Sequence, residues 1–266
     1  MITWALLCGA GFAAGFVDSI AGGGGLVTVP ALLAAGLPVD VALGTNKGQA
    51  VFGATTSTIG YGRAGLLRPR VLRFGFPAGF VGALLGAFAV TRLDPNALKP
   101  LVLLLLLGAA ALVLVPRPRP REDVSAGERE RNFREDENSE GVHEPKASEP
   151  RAWLMAVALL LGAYDGFFGP GTGTLLIVAF LWIFRESALS ASANAKVVNL
   201  ASNLAAFCIF LLKGKIVWAI AVPMGLCNVF GAWLGTRVTL KRGSGFVRVI
   251  AVAIALALAA KVALQW

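Results

Sequence analysis

The sequence predicts an all-α polytopic membrane protein: two inverted repeats of about five helical segments each, with discontinuous helices at glycine-rich breaks. Three observations predict it. Of the 266 residues, 56% are hydrophobic and 15% charged, with a mean hydropathy of +0.72; soluble domains run at about 45–50% and about 25%. The apolar residues fall into five segments, a polar linker and five more. The two halves also repeat glycines and charges in the same order.

The segments run roughly 2–20, 24–36, 41–61, 71–92 and 97–115, then 152–168, 172–184, 188–212, 216–236 and 245–265. A bilayer span needs about 20 mostly apolar residues, so most can cross. The opening "MITWALLCGAGFAAG" has neither a positively charged start nor a small-residue cleavage site, and reads as the first membrane helix, not a signal peptide. Segments 24–36 and 172–184 are too short to span comfortably, and each directly follows a glycine-rich break. The chain therefore divides into a first membrane repeat at 1–115, a polar linker at 116–151 and a second repeat at 152–266. The linker holds 8 of the 24 Lys and Arg and 10 of the 15 Asp and Glu, with little to bury, and reads as a hydrophilic tether.

The repeat is visible in particular residues. "GFVDSIAGGGG" at 15–25 resembles "GAYDGFFGPGT" at 162–172; an offset of 147 matches Gly15, Asp18, Gly22 and Gly24 to Gly162, Asp165, Gly169 and Gly171. An offset of 149 matches Lys47, Gly65, Gly82 and Gly86 to Lys196, Gly214, Gly231 and Gly235. Orientation follows from where the basic residues lie. The loop near 62–70, with Arg63, Arg68 and Arg70, the linker, and the loop at 237–245, with Arg237, Lys241 and Arg242, are expected inside. That needs five crossings per half, inverted halves and both termini outside.

Matched helix breaks in inverted repeats point to a transporter site near the bilayer midplane. A broken helix leaves N–H groups free at the start of its second half, where partial positive charge suits an anion. Glycine lets the backbone turn there and lets a ligand approach. Gly22, Gly23, Gly24 and Gly25, and across the repeat Gly169, Gly171, Thr172 and Gly173, are thus expected to form two facing cradles, with Pro170 at the start of the second half-helix. The scattered Gly79, Gly82 and Gly86 read as close helix packing. Lys47 lies among Asn46 and Gln49; Lys196 lies among Asn194, Asn199 and Asn203, with Lys196, Asn199 and Asn203 on one helix face. A lysine at the centre of a span costs about 2.5–3.5 kcal/mol on insertion scales, so both need compensation: pairing with Asp18 and Asp165, binding an anion, or snorkelling to an interface. Asp18 and Asp165 precede the breaks and are expected to pair with lysine, cap the following half-helix or carry a proton.

Other chemistries are excluded or unsupported. The one histidine, His143, lies in the linker, so a histidine-based catalytic or metal site in the membrane part is excluded. Cys8, Cys208 and Cys227 are isolated and read as small buried hydrophobes, not a disulfide or zinc framework. No phosphate-binding G-x-x-x-x-G-K-[ST] motif is present, and no cofactor or metal is expected. The net charge of +9 sits mostly at the ends of apolar runs, which speaks for membrane topology and anion attraction, not for nucleic acid. The expected partners are a small anion and the lipid bilayer, with a homo-oligomer left open.

The stretches "GFVDSIAGGGGLVTVPALLAAGLP", "ALGTNKGQA" and "ASANAKVVNLASN" resemble the sulfite exporter TauE/SafE family, also called the toluene sulfonate uptake permease superfamily. The resemblance covers both halves outside the linker. It implies secondary transport of small sulfur-containing or organic anions such as sulfite, thiosulfate, sulfoacetate or sulfonates across the cell inner membrane. The second break, "GPGTG", is less glycine-rich than the first and departs from full symmetry. An uncoupled channel or a non-transporting scaffold are the competing readings; an intramembrane enzyme lacks a nucleophile–base set.

Overall fold

The computed structural model describes residues 2–94, 98, 100–102, 104–105, 108 and 151–264, with side chains between 4 and 243. The linker up to residue 150 and most of the fifth apolar segment, 97–115, lie outside the described residues.

The described chain is helical. α1 (Ile2–Ala21) is followed by the short α2 (Gly25–Ala34) and the long α3 (Val39–Arg63). A π-helical turn, Val71–Gly75, leads into α4 (Phe76–Val90). The second half repeats the order: α5 (Arg151–Phe167), the short α6 (Thr172–Trp182), the long α7 (Ala188–Leu212) and α8 (Trp218–Leu264). α2 and α6 have 10 and 11 residues, which at about 1.5 Å per residue covers about half of a hydrocarbon core. Four stretches are long and apolar enough to cross a membrane: Trp4–Ala21, Val71–Val90, Ala188–Leu212 and Trp218–Gly243. α3, at 25 residues, is as long as α7 but carries more polar residues, of which Thr45, Asn46, Lys47, Gln49 and Ser57 are buried.

Polarity is distributed inside out. Lys47, Lys196, Asp165 and several amides are buried, while Leu6, Leu160, Leu212 and Phe230 are exposed. Large exposed apolar faces around a charged interior are what a lipid solvent selects. Two apolar clusters flank that interior. One joins Leu26 and Val29 to Ala87, Val90, Phe168 and Phe210; the other joins Leu154 and Ala158 to Leu176, Phe180 and Val198.

Contacts occur in exchanged pairs. Gly82 and Gly86 of α4 press on the backbone of α5 at Leu159 and Ala163, and Gly231 and Gly235 of α8 press on α1 at Phe12 and Phe16. These are equivalent positions under the two sequence offsets, and a Cβ at any of the four would collide with backbone. The expected close packing at Gly79, Gly82 and Gly86 is thus observed. α3 and α7, the equivalent long helices, run antiparallel: Gly44 abuts Phe210, Lys47 bonds Asn203, and the Thr58 hydroxyl donates to the Lys196 carbonyl.

The inter-helix loops are tied down in the same exchanged way. The Arg68 backbone N–H donates to Asn194 Oδ1 at 2.9 Å, and the Val217 N–H donates to Thr45 Oγ1 at 3.1 Å. The offset of 149 relates both donors and both acceptors. An ion pair stands beside each: Arg68–Glu186 at 3.1 Å and Lys215–Asp40 at 2.8 Å. Glu186 is the better held, because its carboxylate is buried and also accepts from Ser190 and Asn194. Arg185, next to it, takes a left-handed φ of 49°, a strained conformation for a residue with a Cβ.

Two expectations need correction. The stretch 237–245, expected as a loop, is helical up to Gly243, whose non-helical φ of 68° and ψ of −163° separate two helices there. Arginine and lysine are good helix formers, and Arg237 stays on the helix with its guanidinium 4.1 Å from the Trp233 ring. The cysteines are not buried hydrophobes: Cys208 is exposed, and Cys8 and Cys227 are half-buried.

Candidate substrate cavity

The two breaks meet at the centre of the molecule. α1 ends at Ala21, and Gly22 and Gly23 adopt φ of 76° and 90° before α2 begins. In the other half Gly169 and Gly171 adopt φ of 95° and 86° before α6. Side chains rarely adopt this region. Gly22 packs directly on the backbone of Gly173, Gly25 faces Pro170, and the Thr174 hydroxyl donates to the Ala21 carbonyl at 3.1 Å. The half-helix N-termini therefore face one another. Pro170 lies two residues before α6, not at its first position; its carbonyl accepts from Tyr164 at 3.1 Å.

Around this crossing the charges pair between halves. Lys47 Nζ lies 3.0 Å from Asp165 Oδ1, and both side chains are 2% exposed. Lys196 Nζ lies 2.8 Å from Asp18 Oδ2, with exposures of 0% and 21%. Each half's lysine holds the other half's aspartate. Neither lysine snorkels, since both are buried to the ammonium. The two acids differ in their second partner. Asp18 Oδ1 accepts from the Gly24 N–H at 3.3 Å, tying it to the first break. Asp165 Oδ2 accepts from Ser202. Asp18 thus both pairs and braces the break, whereas Asp165 pairs and is held by Ser202 on the neighbouring helix.

Amides complete the site. Lys47 also donates to Asn203 Oδ1 at 3.2 Å. A lysine has no acceptor, so this bond fixes Asn203's orientation. Its Nδ2 donates to the Asn199 carbonyl and to Asn199 Oδ1, at 2.7 and 3.1 Å. On the other side Gln49 Nε2 donates to Asn46 Oδ1 at 3.0 Å, and Thr28 donates to the same oxygen. Both Asn46 and Asn199 therefore spend their carbonyls within the protein.

These groups line a cavity of about 30 Å³, space for a water or two. Thirteen of the seventeen residues expected at the site border it: both aspartates, Lys47, the amides Asn46, Gln49, Asn199 and Asn203, and the glycines Gly23, Gly24, Gly25, Gly169, Gly171 and Gly173. Among the described residues, the N–H groups of Gly23, Gly25, Gly171 and Gly173 take part in no hydrogen bond, as expected of a helix start. Gly169 leaves room for Lys47 Nζ, which a Cβ would meet at 2.8 Å.

The other four lie elsewhere. Gly22 is spent on the contact with Gly173, and Thr172 donates to the Gly169 carbonyl at 2.7 Å. Lys196 stands behind Asp18, outside the lining. Asn194 is at the Arg68–Glu186 loop contact. Sequence reasoning missed Asn228, which borders the cavity and donates to Gln49 Oε1. The signal was available: "GLCNVFGAW" carries an amide alone in an apolar run, and intramembrane polar residues are costly. Among the described residues no group of His, Cys, Asp and Glu is arranged to hold a metal ion.

The model of the sulfite exporter TauE/SafE family matches residues 7–262. A probable membrane transporter protein of Haemophilus influenzae is 35% identical over 260 residues, 97% of this chain and 93% of its own. One from Sinorhizobium, ORF9, is 34% identical over 261 residues, covering 96% and 90%. YfcA of Escherichia coli, also named a probable membrane transporter protein, is 32% identical over 252 residues, covering 93% and 85%. No solved structure matches. With a family match over nearly its whole length and an apolar, helical exterior around a charged centre, the chain is a multi-pass membrane transporter and belongs to the sulfite exporter TauE/SafE family.

Proposed function

We propose that this chain is a secondary transporter, an exporter of small sulfur-containing or organic oxyanions such as sulfite, thiosulfate, sulfoacetate or sulfonates, working by alternating access with proton coupling. The observation that carries the reading is the donor character of the cavity. Lys47, the break N–H groups of both halves and the amides of Asn46 and Asn199 all offer hydrogens, while the nearby carbonyls are already engaged. An oxyanion has only acceptors to offer in return, and charge-assisted bonds of this kind are the strong ones.

Coupling is supported by charge balance. Lys47, Lys196, Asp18 and Asp165 sum to zero around the crossing. An arriving anion leaves a buried excess negative charge, which is expensive; a proton on Asp165 or Asp18 removes it and frees the lysine. Alternating access is supported by the two ion pairs that cross between the halves at the cavity, because Lys47 must part from Asp165 to be free for an oxyanion. It is also supported by the two loop contacts, Arg68–Asn194 and Val217–Thr45, which serve as separate gates. The antiparallel course of α3 and α7 and the exchanged glycine contacts support an inverted repeat, with the two gates on opposite membrane faces.

Anion protection of the purified protein tests the site. Sulfite or thiosulfate is expected to raise the melting temperature saturably, with acetate weaker, and Lys47→Met to abolish the shift. An undiminished shift in Lys47→Met would remove Lys47 from the site.

A further inference from the structure

We infer that Asn228 is a positioning residue that sets the hydrogen-bond polarity of the cavity through a relay of amides, Asn228 to Gln49 to Asn46, and so its selectivity for oxyanions. This rests on the oxyanion reading given above. The relay begins with a space left for it. Asn228 Oδ1 is turned into the gap between α1 and α3, where a Cβ on Gly15 or on Gly53 would collide with it. That leaves Nδ2 facing α3, where it donates to Gln49 Oε1. An amide that accepts at its oxygen presents its nitrogen at the other side, and Gln49 Nε2 donates to Asn46 Oδ1 at 3.0 Å. Thr28 loads the same oxygen. Asn46 is left with Nδ2 as its unspent group, and this nitrogen has no acceptor among the described residues.

The relay belongs to one half alone. The positions equivalent to Asn46, Gln49 and Asn228 are Ala195, Val198 and Gly79. In the other half the same end is served by Lys47 acting through Asn203 on Asn199. A lysine fixes that chain's direction; on the relay side nothing charged does, and Asn228 takes that part.

Asn228→Asp is nearly isosteric but has no donor when ionised. Gln49 then turns its Nε2 to the new carboxylate and its Oε1 to Asn46, and Asn46 turns its carbonyl into the cavity. A donor facing the anion becomes an acceptor. The loss of one hydrogen bond to a charged group corresponds to roughly ten- to hundredfold weaker binding.

Two arms test this on the purified full-length protein. The first needs no anion: melting temperatures of N228D, N46A and N228D/N46A, each with and without Q49M. Asn228 and Asn46 share no hydrogen bond, so the relay predicts non-additive shifts that become additive in the Q49M background. Additive shifts in both backgrounds overturn the relay. The second arm titrates sulfite and thiosulfate. N228D is expected to weaken protection at least tenfold, and less than threefold when added to Q49M. An equal loss in both backgrounds assigns the effect to the added charge alone and overturns the role. If the wild type binds neither anion, the oxyanion reading and the selectivity role fall together, while the first arm still decides the relay.

Discussion

Removing Asp165 alone should be more damaging than removing Asp165 and Lys47 together. The pair lies 3.0 Å apart with both side chains 2% exposed, so each charge depends on the other for compensation. Breaking a buried pair from one side costs about 3–5 kcal/mol, whereas replacing both partners by neutral groups is often neutral or stabilising. Asp165→Asn keeps the shape and the Ser202 contact but leaves Lys47 charged; Lys47→Met leaves Asp165 charged. Each single variant is expected to lose about 3–5 kcal/mol and the double variant under about 1 kcal/mol, a coupling as large as either single loss. Denaturation of the four detergent-solubilised proteins measures it. The other pair is a built-in comparison: Lys196→Met leaves Asp18 as the unpaired charge, and Asp18 is 21% exposed, so screening reduces that loss well below the loss in Lys47→Met. Single losses under about 1 kcal/mol, or a double loss equal to their sum, would refute the claim that the pair compensates itself.

Three further outcomes are expected. Gly22→Ala should abolish accumulation of folded protein, since φ is 76° and the new Cβ meets the backbone of Gly173 and Thr174; Gly214→Ala, with φ of 63° but no heavy atom within 4 Å, should cost only about 1–2 kcal/mol, so the yield of monodisperse protein separates them and a melting midpoint measures the second. Asn194→Leu should speed tryptic cleavage at Arg70, since Arg68 is protected by Pro69, while leaving Lys213 and Lys215 unchanged, and Thr45→Val should do the reverse; trypsin added to one side of sealed vesicles should then reach only one of the two loops. Burial pushes the Glu186 carboxyl above its ordinary 4.5, with Arg68, Asn194 and Ser190 opposing. In the window above that value the folded protein holds the proton more tightly than the unfolded chain does. Stability should therefore fall as pH rises through the window and level off above it, and Glu186→Gln should flatten that slope.

Much of the architecture was legible because membrane helices announce themselves by length and by what interrupts them. The segments at 24–36 and 172–184 proved to be short helices after left-handed glycines, and the rare charges Asp18, Lys47, Asp165 and Lys196 proved to lie together. What could not be read was which acid meets which lysine. That depends on α1 crossing to α7 and α3 crossing to α5, and no local pattern encodes it. Asn194 lies away from the cavity for a related reason. Its neighbours on the helix suggested the cavity, but it sits two residues before Lys196, turned to the Arg68 loop. Asn228 is not marked by the repeat, because its counterpart is Gly79 and carries no polar group. The loop expected at 237–245 shrinks to a kink at Gly243, because the basic residues before it are good helix formers and only the glycine breaks the helix.

The central claim is coupled transport of an oxyanion through this cavity, and flux into proteoliposomes tests it most directly. Sulfite, thiosulfate, sulfoacetate and acetate would each be offered with and without an imposed pH gradient, to the wild type and to the stable Lys47→Met/Asp165→Asn protein. The account predicts saturable uptake of a sulfur oxyanion, driven uphill by the gradient, in the wild type alone. Flux that only follows the anion's own gradient would contradict coupling, and equal flux through the double variant would contradict the site.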